Sequence, residues 1–142
     1  MRACFLPLIL AASAACANGV QEMNDSLPTC STLAECQAHD GKRVRVIATY
    51  TVWDPLPDRA RNHPPAQQVM LKFGGDDGPF LEPWGHEGHM RSLDEIARFN
   101  GKRVRVTGTF LRAMPPHPTD PPHAASLGGP CVRSVERIEA VD

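Results

Sequence analysis

The sequence predicts a mostly β domain with short helices: a five-stranded barrel with one helix between its third and fourth strands and another ahead of the first. Three observations lead there. One phrase is written twice, at 32–50 and again at 92–110. Within each copy the apolar period switches from helical to alternating. Between and after the copies lie further short alternating runs, bounded by glycine and proline turns.

Each copy opens on a capping box, Thr32 with Glu35 and Ser92 with Glu95. The hydroxyl accepts from an orphan backbone N–H, and the glutamate reaches back to the cap. The short helix that follows is expected to bury Leu33 and Cys36 in the first copy and Leu93, Ile96 and Phe99 in the second. Asp40-Gly41 and Asn100-Gly101 stop it, because Gly and Asn accept the left-handed conformation that closes a helix. A half-buried strand comes next. Val44 and Val46 share one face while Arg43 and Arg45 take the other; Val104, Val106 and Arg103, Arg105 repeat the arrangement. Between the copies, Val69, Leu71 and Phe73 alternate with polar partners over 67–73. The run Gly74-Gly75-Asp76-Asp77-Gly78 then turns the chain, and 79–84 leads back. Cys131 opens a last strand that runs to Val141.

Three strands, a helix and two strands make the element order of the OB-fold, a five-stranded Greek-key barrel, which the stretch 41–141 resembles. A solenoid is the competing reading, but one pair of units is too few to sustain one. The resemblance implies that the first and fourth strands, those of the repeated phrase, pair antiparallel. It also implies a ligand face flanked by the proline-rich loops 54–66 and 114–130.

The first residues read as an export signal: Arg2, a short apolar stretch over 5–12, then small residues. That stretch is too short for a permanent membrane span. Ser13-Ala14-Ala15-Cys16 resembles the bacterial lipobox, with Ser13 where leucine is usual, and implies lipidation at Cys16. Cleavage after Ala17, at a small-x-small site, is the alternative. The chain thus divides into a signal at 1–17, a disordered tether at 18–29 and one domain at 30–142. The expected location is the bacterial cell envelope, lipid-anchored at a membrane or free in the periplasm. In that oxidising setting a Cys30–Cys131 disulfide is expected, with Cys36 a buried thiol and Cys36–Cys131 the alternative bridge. It would close a loop of about a hundred residues, for about 3–5 kcal/mol.

Formal net charge is −1, so bulk electrostatics predicts no strong attraction to nucleic acid or an anionic membrane. Arg43, Arg45, Arg103 and Arg105 form the one basic feature. They read either as a stripe for an acidic ligand or as a solvated face paired with Glu136 and Glu139. Interleaved aromatics for stacking bases are missing from these strands, which weighs further against nucleic acid. Trp53 and Trp84 are the candidate anchors for a small molecule, glycan or protein, with core filling as the competing role. His86-Glu87-Gly88-His89 is the most metal-like run. With His63 or another loop histidine it would take zinc or copper, although two histidines without a fixed partner are more often solvated loop residues. Asp76-Asp77 lacks the ligand spacing of a calcium loop and reads as a hairpin turn. No nucleophile motif, phosphate loop or dinucleotide fingerprint is present. The expectation is therefore an exported, membrane-tethered, non-enzymatic binding module without a cofactor. The alternative is a periplasmic metal-binding protein.

Overall fold

A computed structural model describes residues 26–54, 66–121 and 128–142. The strands are β1 (Thr29–Cys30), β2 (Arg43–Trp53), β3 (Gln68–Lys72), β4 (Phe80–Leu81), β5 (Arg103–Leu111) and β6 (Cys131–Ala140). The helices are α1 (Leu33–Gln37) and α2 (Leu93–Phe99). Strands β2 to β6 form one closed barrel, with β2–β3, β3–β4, β5–β6 and β2–β5 antiparallel and β4–β6 parallel. This is OB-like topology, with α2 between the third and fourth barrel strands.

Closure depends on β2 serving two partners. Its first half, from Arg43 to Thr49, pairs with β5, and its second half, from Thr49 to Trp53, pairs with β3. The two-residue β1 adds a parallel pairing beside Arg45 and Val46. The last residues of the expected tether therefore join the barrel: the Arg45 N–H donates to Pro28 O at 2.8 Å. The signal, Cys16 and the rest of the tether lie outside the described residues.

The duplicated phrase pairs with itself. Arg43 lies opposite Thr109, Arg103 opposite Thr49, and Val46 opposite Val106, so the sixty-position offset between copies also relates their partners. A local two-fold axis thus passes between Val46 and Val106. The helix stops obey it too: the Gly41 N–H donates to Phe110 O and the Gly101 N–H to Tyr50 O, each at 2.8 Å. Both glycines hold left-handed backbone, with φ of 72° and 77°, as their place after a helix requires. Inward residues Val44, Val46, Ala48, Tyr50, Val104, Val106 and Phe110 fill the barrel with Val69, Leu71, Leu81 and Val132. Burying each such side chain is worth about 1.5–3 kcal/mol. Phe99 of α2 closes one end against Tyr50, with ring centroids 5.9 Å apart.

Several expectations need correction. The box at Thr32–Glu35 is complete, but only half of the second forms. Ser92 Oγ accepts from the Glu95 N–H at 3.2 Å, whereas the Glu95 carboxylate turns to Tyr50 and Arg91. Leu93 is 53% exposed rather than buried. Strand β4 stops after two residues because Glu82 takes a φ of 58°. The expected Cys30–Cys131 disulfide is not formed: Cys30, Cys36 and Cys131 are all buried free thiols. Cys131 lies opposite Phe80 and Leu111, while Cys30 lies beside Val46 and has Cys36 as its neighbour. The buried placement of Cys36 stands.

Candidate functional site

Alternation carries the side chains of β2 and β3 to opposite sides of the barrel wall. Tyr50 and Val52 face inward with their partners Leu71 and Val69. Thr51 and Trp53 therefore face outward with Met70 and Gln68, and Phe80 lies opposite Met70 on the same side. This outer face is not a solvated one. Gln68 is 6% exposed and Met70 5%. The Trp53 and Phe80 rings meet edge to face, with centroids 5.3 Å apart. Among them the Gln68 Oε1 is buried without a hydrogen-bond partner among the described residues. A buried amide oxygen left in that state costs about 1–3 kcal/mol, which a fold does not ordinarily retain without a use for it.

Three connecting segments meet beside this face. The Arg91 N–H donates to Gln67 O at 2.7 Å, and Gln67 Nε2 donates back to Arg91 O at 2.9 Å. These bonds join the end of the β2–β3 connection to the β4–α2 loop. The same loop holds the start of the β5–β6 connection: the Trp84 N–H donates to Met114 Sδ at 3.0 Å, and His86 Nε2 donates to Pro116 O at 3.0 Å. Gly85 is closely covered there, since a Cβ at that position would lie 1.8 Å from the His117 ring.

The two tryptophans play different parts. Trp53 is half-buried on the face itself. Trp84 is 53% exposed on the β4–α2 loop, and its ring neighbour is His89, 5.5 Å away. The four arginines do share one outer face, on the β2–β5 half of the barrel. The stripe runs from Arg43 at the far end of β2 to Arg103, which lies opposite Thr49, four positions before Trp53 and roughly 13 Å of extended chain away. The stripe is interleaved with acids. Arg43 Nε donates to Glu136 at 2.7 Å, and Glu139 lies opposite Arg105 while bridging to Arg137 at 2.7 Å. The Arg43 hydrogen bond holds the Glu136 carboxyl below the usual range.

The histidines are committed locally. His89 Nδ1 donates to His86 O at 2.7 Å, and His117 Nδ1 is bonded within its own turn to Thr119 Oγ1 at 2.7 Å. Among the described residues no three His, Cys, Asp or Glu side chains converge as a metal site, and His63 lies outside them.

One cluster was not legible in the sequence. Tyr50 Oη donates to Glu95 Oε1 at 2.8 Å, and Arg91 grips both carboxylate oxygens at 2.8 Å. Burial alone would raise the Glu95 pKa, but the bonds from Arg91 and Tyr50 outweigh it and hold the carboxyl below the usual range. Burial and the Glu95 bond push the Tyr50 hydroxyl up. The cluster anchors α2 and the loop before it to the barrel wall. A cleft of about 350 Å³ lies against it, between α2 and β6, lined by Glu95, Arg98, Val135 and Arg137. A second, of about 390 Å³, is lined by Glu82, His86, Glu87, Arg133 and Ser134. Glu82 and Ser134, with φ of 58° and 52°, are the non-glycine residues in left-handed backbone among those described. Glu82 holds the pair together, its N–H donating to Val132 O at 2.8 Å and its Oε1 accepting from the Val135 N–H at 2.9 Å.

Among the described residues no helix is long and apolar enough to cross a membrane. The chain matches no family model, and no curated protein or solved structure is significantly similar to it.

Proposed function

We propose that this protein is an exported, lipid-tethered binding module. It would take an uncharged, donor-bearing ligand, of the kind a glycan or small amide presents, on the outer face of β2, β3 and β4. The observation that carries the reading is the buried Gln68 oxygen, which lacks a donor among the described residues and lies on the strand face shared with Trp53, Met70 and Phe80. Apolar rings around one polar group are the usual composition of a small-ligand site, rings supplying contact area and the polar atom fixing orientation. The charge nearest in sequence supports a neutral ligand: Lys72 on β3 is paired with Asp77 at 3.2 Å. The tether follows from the lipobox-like cysteine at position 16, since several acyl chains hold a protein at a bilayer where one chain does not.

A panel of neutral oligosaccharides and capped dipeptides, screened by thermal shift and tryptophan fluorescence, tests the ligand reading. At least one class should raise the melting temperature, because a ligand that binds only the native state stabilises it. Trp53→Ala should abolish that shift and Trp84→Ala should leave it. Shifts that survive Trp53→Ala, or no shift with any member, refute the assignment of the face. Intact mass of the mature protein tests the tether separately: an acylated Cys16 supports it, and an unmodified N-terminus at Asn18 overturns it.

A further inference from the structure

We infer that the cleft between α2 and β6 is a further binding site, which takes a small apolar α-amino acid with its carboxylate on Arg98 and its ammonium on Asp94. The cleft holds about 350 Å³, at the small end of what small-molecule sites provide. Phe99, Val135 and Ile138 give it an apolar lining. It shares no residue with the face of β2, β3 and β4, so the two assignments are independent.

The charges that line the cleft are committed except at two positions. Arg91 and Glu95 pair with each other at 2.8 Å, Glu136 pairs with Arg43, and Arg137 pairs with Glu139 at 2.7 Å. Asp94 and Arg98 form no ion pair among the described residues. They stand four apart on α2, which puts their Cβ atoms about 5–6 Å from each other. A direct pair is within reach, yet the Arg98 guanidinium lies over the Phe99 ring instead, 4.9 Å from its centroid. Stacking fixes the plane of the guanidinium and leaves its N–H edges free to grip a carboxylate through two parallel bonds. A simple carboxylate would suit Arg98 and be repelled by Asp94, and a simple amine would meet the reverse. An α-amino acid carries both charges on one carbon, so it satisfies the two side chains together while its apolar part rests on Val135 and Ile138.

The duplicated phrase supplies an internal comparison. Asp94, Arg98 and Phe99 correspond to Ala34, Ala38 and His39, sixty positions earlier. The first copy forms its helix and glycine stop with neither charge. Asp94 and Arg98 are thus dispensable for that local structure, and they occur only in the copy that borders the cleft. The wall that carries them is fixed in advance, because Glu95, gripped by Arg91 and Tyr50, holds α2 to the barrel.

The probe is L-phenylalanine, titrated into isotope-labelled full-length protein and followed by amide chemical shifts. Saturable shifts are expected at 94–99 and 135–138, with a Kd of about 1 mM or lower. N-acetyl-L-phenylalanine lacks the ammonium and L-phenylalaninamide lacks the carboxylate. Each should bind at least about tenfold more weakly, the loss of one charge-assisted contact. Arg98→Gln and Asp94→Asn should impose the same loss on phenylalanine. Both positions are exposed, so the melting temperature should stay within about 3 °C. Arg98→Lys, which keeps the charge without the flat fork, should fall between Arg98→Gln and the unaltered protein. Equal affinity for either blocked analogue overturns the inference, as do shifts confined to 68–70 and 80. So does phenylalanine binding that survives both substitutions, or no saturable shift up to about 10 mM.

Discussion

Replacing Gln68 by methionine should make this protein more stable while abolishing the binding proposed for this face. The side chain is 6% exposed and its Oε1 has no partner among the described residues, so the folded state carries a desolvated acceptor. That burden is about 1–3 kcal/mol relative to a chain whose amide is hydrated when unfolded. Methionine has a similar reach, no oxygen at that position, and enough torsional freedom to fill the same space between Trp53 and Met70. Allowing for imperfect packing, the variant should gain about 1–2 kcal/mol. For a domain of this size that is roughly 5–10 °C in melting temperature.

Urea denaturation is the assay, because a midpoint that moves with an unchanged slope reports stability alone. Gln68→Glu is the counterpart. Placing a carboxylate where no donor waits should destabilise above pH of about 4.3, with stability recovering as the pH falls and the group is neutralised. If Gln68→Met instead loses more than about 1 kcal/mol, the oxygen contributes to the fold and the ligand argument collapses.

Two other perturbations bear on different parts of the barrel. Glu95→Gln leaves the half-buried Arg91 without its counter-ion and should cost about 2 kcal/mol near neutral pH. Because the folded-state pKa of Glu95 is lowered, its contribution is present above its unfolded value and fades as pH falls through the folded one; the variant should show a flatter acid limb in melting curves taken from pH 7 to 3. At the bulge between Thr107 and Thr109, Gly108→Ala should cost more than about 3 kcal/mol in chemical denaturation, since its Cβ would lie 2.7 Å from Val132 Cγ1 and 3.0 Å from Arg133 O. Ser134→Gly should gain up to about 1 kcal/mol in the same measurement by relieving a φ of 52°.

The barrel was legible because its signals are local. Alternation in β2 and β5, glycine stops and turn residues act within a few positions, and each appeared where expected. The candidate site was less legible, for a physical reason. Gln68 falls at an outward position of a strand, where a polar residue ordinarily means solvent, and only the packed structure shows its amide buried beside the half-buried rings of Trp53 and Phe80. Glu95 is the third residue after a Ser cap, so a capping box was the local expectation. Tyr50, forty-five positions earlier in the chain, competes successfully because Arg91 adds two charge-assisted bonds to the same carboxylate. A long-range bridge through Cys131 was expected, whereas Cys30, Cys36 and Cys131 are each buried as free thiols.

The internal two-fold helps explain where function can reside. Within the β2–β5 pairing each copy supplies what the other needs, a glycine N–H to the partner's closing aromatic and a valine to the partner's valine. That half is self-complementary, and Arg43 at its margin is already matched by Glu136. The copies diverge at the closing aromatic itself. Tyr50 carries a hydroxyl where Phe110 has none, and that hydroxyl draws Glu95 away from its helix cap, together with Arg91. Arg91 in turn ties the β4–α2 loop to Gln67, the residue that precedes Gln68. A single oxygen that distinguishes the copies is thus linked, through Glu95, Arg91 and the two bonds between Arg91 and Gln67, to the strand bearing the buried Gln68 amide. The symmetric half supplies the frame, and the departure from symmetry positions the face on which a ligand would sit.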